Sequence, residues 1–272
     1  MAGVNDVREE GSTADTASDT SGTSDTAAVR VADLGKRYDS DRQTVQALSG
    51  VDFAVDEGEF VCIVGPSGCG KTTLFRTIAG LESPTSGEVR LSGERVDGPG
   101  TDRGMVFQEY GLFPWRTVAE NVAFGLEQQG LGGEERRARV REMLDLVGLT
   151  EFADAYPKEL SGGMKQRVGI ARALAVDPDI LLMDEPFGSV DAQTRDMLHG
   201  ELLDIWGATG KTVLFVTHDV EEAVTLADRV VVMAANPGQV REVVSVDLDR
   251  PRERTDAAFA EHVERIRALI GE

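Results

Sequence analysis

Lysine is scarce in this chain. Lys36, Lys71, Lys158, Lys165 and Lys211 are the only five among 28 basic residues, against 48 acidic ones. The resulting net charge of −20 leaves no basic footprint, which argues against nucleic acid and anionic lipid as partners. Two readings of the acidity stay open. One is an ordinary well-solvated surface; the other is a halophile-like acidic protein in a cytoplasm of very high salt, where repulsion is screened within roughly 3 Å at 1 M. Cysteine is rarer still. Cys62 and Cys69 stand just before and inside a glycine-rich turn that a bridge would distort, so both read as reduced thiols of a cytosolic protein. Long apolar runs are missing altogether. The N-terminus carries no signal-like stretch and nowhere do eighteen apolar residues follow one another, so the expectation is a chain neither secreted nor membrane-spanning, attached to a membrane only through a partner.

What is present suffices for one core. A length of 272 residues with 41% hydrophobic content fits one domain with an insertion. Residues 11–28, GSTADTASDTSGTSDTAA, hold nothing apolar beyond Ala and cannot offset ordering entropy, so residues 1–28 read as a disordered acidic tail. From Val29 to Phe60 short β-like runs alternate with turns and predict an antiparallel sheet. Apolar runs at Phe60 to Val64, Ile180 to Met183, Thr212 to Val216 and Arg229 to Met233 have helical segments between them, the first at Lys71 to Leu81. That alternation predicts an α/β domain with a largely parallel sheet. Between Tyr110 and Arg167 the pattern is helical throughout, broken at Gly130 to Gly133, which predicts an inserted helical subdomain over about 110–167. Phe259, Val263, Ile266 and Ile270 share one face of a terminal helix.

The chemistry concentrates at strand ends. Gly65-Pro66-Ser67-Gly68-Cys69-Gly70-Lys71-Thr72-Thr73 fits the phosphate-loop pattern and stands between a strand and a helix. Its glycines let backbone N–H groups converge on phosphate oxygens at a helix N-terminus. Lys71 is expected to bridge the β- and γ-phosphates and the Thr72 hydroxyl to coordinate Mg²⁺. An acidic protein can thus bind an acidic ligand, because the donors are backbone dipoles and one lysine. Asp184 and Glu185 end an apolar strand, at the sheet edge where ligands of α/β folds bind. Two adjacent acids are by themselves often a solvated turn; beside a phosphate loop, Asp184 reads as a Mg²⁺ ligand and Glu185 as the base that orients and deprotonates water. His218 follows the run Val213 to Val216 and can donate to the γ-phosphate. Gln108 ends the run Met105-Val106-Phe107 and offers an amide to Mg²⁺ or water.

Together with Leu160-Ser161-Gly162-Gly163-Met164-Lys165-Gln166-Arg167, these residues resemble the ATP-binding subunit of an ABC transporter, over essentially Val29 to Glu272. The resemblance implies a P-loop NTPase of the ABC ATPase type, with an antiparallel β-subdomain and an inserted helical subdomain on a largely parallel core. It implies ATP and Mg²⁺ as ligands, Tyr38 against adenine, and a homodimer closing on two ATP. In that dimer Ser161, Gly162, Gly163, Met164 and Gln166 cap the γ-phosphate held by the other chain, and Asp191 carries communication across the seam. Val190 stands where Leu is commoner. The phrases TDRGMVFQEYGLFPWRTVAENVAFGL, DEPFGSVDAQTR and MAANPGQV are most similar to importers of nitrate, sulfonate and taurine. That group implies a peripheral subunit on the cytoplasmic side of the membrane, an extracytoplasmic solute-binding protein, and a permease docked near Phe113, Pro114 and Trp115. Trp115 is equally readable as core. A soluble ABC ATPase without transport, or an ordinary P-loop kinase or GTPase, are the rival readings; neither long coiled coils nor a basic surface supports the first.

Overall fold

The computed structural model describes residues 1, 27–39, 43–108, 110–188 and 190–271; the expected tail at residues 1–28 lies largely outside them. Ala27 and Ala28 are buried, and the Ala28 carbonyl accepts from the Ser92 amide at 2.9 Å.

Strands β1 (Val29–Asp39) and β2 (Thr44–Val55) pair antiparallel, Val29 opposite Val55 and Asp39 opposite Thr44. Strand β3 (Phe60–Val64) leads through the glycine-rich turn into α1 (Lys71–Ile78). Strands β4 (Ser86–Leu91) and β5 (Glu94–Arg95) complete a four-stranded antiparallel sheet in the order β2-β1-β4-β5. Helix α1 stops short of the expected Leu81. Gly80 takes φ 72°, its amide donating to Thr77, and the Leu81 amide turns back to the Arg76 carbonyl, a left-handed glycine stop.

After β6 (Arg103–Val106) come three helices, α2 (Val118–Gln128), α3 (Gly133–Leu146) and α4 (Gly162–Ala175), packed on one another through Val122, Leu126, Met143, Leu144 and Val168. The segment from Tyr110 to Thr117 departs from the expected helix. Pro114 disfavours helix in the residue before it, and the loop's backbone groups are satisfied elsewhere. The buried Asn121 amide donates to the carbonyls of Phe113, Arg116 and Thr117, while its oxygen accepts from the Phe113 amide at 2.8 Å. Thr117 and Glu120 then form a reciprocal cap that starts α2.

The remaining elements alternate: β7 (Ile180–Asp184), α5 (Ala192–Thr209), β8 (Thr212–Val216), α6 (Val220–Leu226), β9 (Arg229–Ala234), β10 (Gln239–Ser245) and α7 (Ala257–Gly271). They build a six-stranded sheet in the order β10-β9-β3-β8-β7-β6, parallel except for β10. Alternate residues of its strands feed two cores. Phe60, Cys62 and Val64 face one cluster with Leu181, Met183 and the helices; Val61 and Ile63 face a second with Leu74, Phe75 and Ile78 of α1 and the antiparallel sheet. A strand covered on both sides has no polar face to show, which is why these runs read as continuously apolar. Cys62 and Cys69 are free and belong to different cores. On α7, Phe259, Val263 and Ile266 are buried and Ile270 packs partly, matching the expected face. Among the described residues no helix is long and apolar enough to cross a membrane.

Candidate functional site

Strands β3, β7 and β8 are parallel neighbours, so their C-terminal ends deliver the glycine-rich turn, Asp184-Glu185 and Thr217-His218 to one edge. A cleft of about 670 Å³ opens there. It is lined by Ser67, Gly68, Gly70, Lys71, Thr72 and Thr73 on the loop side, by Glu185 and His218 opposite, and by Val45, Gln46 and Ala47. Asn236, Pro237 and Gly238, from the β9–β10 turn, complete the wall.

The loop is tightly built. Gly70 takes φ 91°, and a Cβ on it would lie 2.7 Å from Leu48 Cδ2 and 2.9 Å from the Ala47 carbonyl; a Cβ on Gly65 would lie 2.7 Å from the Met233 carbonyl. Only glycine fits both places. Lys71 is nearly buried, and its ammonium donates to the Gly65 carbonyl at 2.8 Å and the Pro66 carbonyl at 3.3 Å. Those carbonyls hold the charge at the mouth of the loop. Pro66 is half-buried, Cys69 is buried, and Thr72 is exposed.

Opposite the loop, Glu185 takes φ 43° and its amide donates to the Val216 carbonyl at 2.9 Å. A left-handed backbone at a glutamate is strained, and strain of this kind clusters where a side chain must be aimed. Glu185 Oε2 lies 3.1 Å from His218 Nδ1. Burial, reinforced by the negative charge of Glu185, pushes the Asp184 carboxyl above its ordinary range, against the opposing pull of Arg76 and Lys71. A cation beside Asp184 would relieve that cost.

Other expected residues sit outside the lining. Tyr38 is partly exposed, its hydroxyl 3.4 Å from Thr73 Oγ1 and bonded to Glu82; burial, then that bond, raises its phenol. Gln108 is exposed, and a Cβ built on Gly188 would stand 3.2 Å from its Nε2, so it lies beside the turn after β7. Ser161 caps α4 by accepting from the Met164 amide at 3.3 Å. A hydroxyl that accepts there can still donate its own hydrogen. Gly162 and Met164 are half-buried, and Gly163 is buried beside Thr194 and Leu198 of α5. Gln166 departs from the expected surface. It is wholly buried, and neither atom of its amide has a hydrogen-bond partner among the described residues. Asp191 caps α5, accepting from the Thr194 amide at 3.0 Å and hydroxyl at 2.7 Å, which lowers its carboxyl.

Trp115 is 71% exposed, which removes its reading as core. Pro114 is exposed as well, and Phe113 packs between Phe124 at 4.6 Å and Trp115 at 5.8 Å. Arg172 of α4 donates to the carbonyls of Tyr110 and Gly111, tying this loop to the helix that Ser161 opens. Sequence reasoning missed the roles of Val45 to Ala47 and Asn236 to Gly238. The Asn-Pro-Gly turn between two apolar runs was the available signal.

A family model described as ABC transporter matches residues 48–188. An uncharacterized ABC transporter ATP-binding protein of Methanocaldococcus jannaschii is 55% identical over 242 residues, 89% of this chain and 91% of its own. The nitrate import ATP-binding protein NrtD of Synechocystis sp. is 51% identical over 84% of this chain and 87% of its own. An aliphatic sulfonates import ATP-binding protein, SsuB of Bacillus cereus, is 45% identical over 86% and 92%. Among solved structures, a dimeric ATP-binding cassette in a post-hydrolysis state, bound to ADP and phosphate, superposes with TM-score 0.70 at 35% identity, covering 81% of this chain and 100% of that one. The chain belongs to the ABC transporter family, as an ATP-binding domain.

Proposed function

We propose that this protein is the ATPase subunit of an ABC importer, hydrolysing ATP to ADP and phosphate to drive uptake of a small solute of the nitrate, sulfonate or taurine type. The observation that carries the reading is the single cleft in which the phosphate loop faces Glu185 and His218, 3.1 Å from each other. Its relatives named for nitrate and sulfonate import support the solute class.

In this reading the loop amides and Lys71 hold the β- and γ-phosphates, and the Tyr38 ring stacks on adenine. The Thr72 hydroxyl, Asp184 carboxylate and Gln108 amide are hard oxygen donors and would hold Mg²⁺. The raised Asp184 carboxyl fits the same assignment, because a cation restores its charged form. When bound, the metal neutralises charge on the phosphates. Glu185 accepts a proton from the attacking water, and its hydrogen bond with His218 keeps the two side chains on the same phosphate. Ser161 donates its hydroxyl hydrogen to the γ-phosphate of a second copy, with the Gly162 and Gly163 amides beside it. Two copies therefore close on two ATP, an equilibrium that ATP shifts by binding the closed form better.

Phe113, Pro114 and Trp115 form the apolar contact for a membrane permease, with Trp115 as an anchor. The subunit then sits on the cytoplasmic face of the membrane, and the extracytoplasmic binding protein meets only the permease. Steady-state turnover with ATP binding tests the site. Lys71→Ala loses ATP affinity, whereas Glu185→Gln keeps affinity and loses turnover by roughly 10²–10⁴; a Glu185→Gln protein that hydrolyses normally removes the assignment.

A further inference from the structure

Behind His218 lies a polar cluster that does not line the cleft. His199 on α5 and Glu222 on α6 are 3% and 5% exposed. Glu222 joins both helices to the end of β8: its Oε1 lies 2.8 Å from His199 Nε2, and its Oε2 accepts from the Thr217 hydroxyl. That hydroxyl accepts in turn from the Asp219 amide at 3.0 Å. Thr217 and Asp219 flank His218 in the chain, so one network fixes the backbone on both sides of it. His218 itself needs this support, because its side chain is 67% exposed and little packing holds it.

The same helix grips the turn a second time. Arg195 of α5 approaches Asp219 at 3.6 Å and donates to the Val190 carbonyl at 3.1 Å, next to Asp191, which caps α5. Burying a carboxyl and an imidazole is costly, and apolar residues of similar volume would pack the core as well. His199 Nδ1 lacks a hydrogen-bond partner among the described residues, and the ring meets Phe187 edge-on at 5.4 Å, two residues after Glu185. The arrangement is therefore an expensive way to fill space and an economical way to hold an angle.

We propose that His199 is a positioning residue for hydrolysis: through Glu222 and Thr217 it fixes the turn that aims His218 at Glu185, and through α5 it links that aim to the Asp191 turn. The inference rests on the reading of Glu185 and His218 given above. It acts on geometry, not on nucleotide affinity.

The test uses the full chain with His199→Leu, His199→Gln and His218→Ala, singly and with His199→Leu combined with His218→Ala. His199→Leu lowers kcat by roughly tenfold to a hundredfold, the cost of a misplaced reacting group, while KM for ATP stays within about twofold. His199→Gln, whose amide can donate to Glu222, recovers most of the loss. In the His218→Ala background His199→Leu causes no further loss, because its route runs through His218. The proposal is overturned if His199→Leu keeps wild-type kcat, if its effect multiplies in full with that of His218→Ala, or if kcat and KM worsen together. Should the leucine variant fail to fold, His199→Asn, whose shorter amide does not reach the place of Nε2, takes its place: a loss of kcat that His199→Gln does not share supports the proposal, and wild-type kcat in both variants, or an equal loss in both, overturns it. Glu185→Gln separates this outcome from failure of the active-site reading, since only the latter predicts normal turnover there.

Discussion

Adding one methyl group at Gly238 and one at Gly200 should move stability in opposite directions. Gly238 sits in the β9–β10 turn, where its amide donates to the Ala47 carbonyl and its carbonyl accepts from the Ser49 amide, both at 3.0 Å. A Cβ there would lie 2.2 Å from the Cys69 carbonyl and 2.8 Å from the Ala47 carbonyl. Both obstacles are backbone, so no side chain can swing aside, and one belongs to the phosphate loop. Overpacking costs about 1–3 kcal/mol, and each of the two hydrogen bonds contributes about 0.5–1.5 kcal/mol that a displaced turn would forfeit. Gly238→Ala should therefore destabilise by about 2–6 kcal/mol. Gly200 is exposed within α5 and a Cβ on it meets no atom within 4 Å. Gly200→Ala should stabilise by about 0.5–1 kcal/mol through helix propensity. Urea unfolding measures both, and ATP titration adds the functional half: pressure on the Cys69 carbonyl weakens affinity in Gly238→Ala and leaves Gly200→Ala unchanged. A Gly238→Ala protein as stable and as tight for ATP as the parent would refute the packing argument.

Asp184→Asn should raise stability at pH 7 while abolishing hydrolysis. The folded Asp184 carboxyl is raised by burial and by Glu185, so folding favours its protonated form. That contribution is fully present below the ordinary carboxylate value near ~4 and is lost as pH rises through the folded value. The advantage of Asn in urea unfolding should accordingly vanish near pH 4. An equal gain at both pH values would contradict the sign. Ser161→Ala removes the cap on the Met164 amide and should cost about 1 kcal/mol; it should also lower turnover while ATP affinity of the separate chain stays intact, measurable by equilibrium binding. Lowering the ionic strength to about 0.01 M extends screening to about 30 Å and should lower the thermal midpoint of a chain with net charge −20. A midpoint indifferent to salt would leave only the reading of an ordinary solvated surface.

Continuous apolar runs such as Phe60 to Val64 are legible because strands covered on both faces carry no polar residues, and three of the four lead into the phosphate loop, Asp184-Glu185 or His218. The phosphate loop, Glu185 and His218 could be placed on one edge for that reason alone. Tyr110 to Thr117 reads as helix in the sequence because what opposes helix there is tertiary: Asn121, one turn into α2, supplies the loop's hydrogen bonds. Trp115 could be core or surface until the loop was folded. Asn236 to Gly238 reach the cleft only because β9 lies beside β3 in the sheet. His199 and Glu222, 23 residues apart, look in the sequence like ordinary members of two helices.

The mass of the Glu185→Gln protein at saturating MgATP, measured by light scattering after size exclusion, tests the central claim most directly. The chain mass is 29.3 kDa. ATP should double it, and adding Ser161→Ala should return it to the single-chain value while nucleotide still binds. A Glu185→Gln protein that binds ATP fully and keeps the mass of one chain would contradict the account, because the Ser161 turn would then complete no second site.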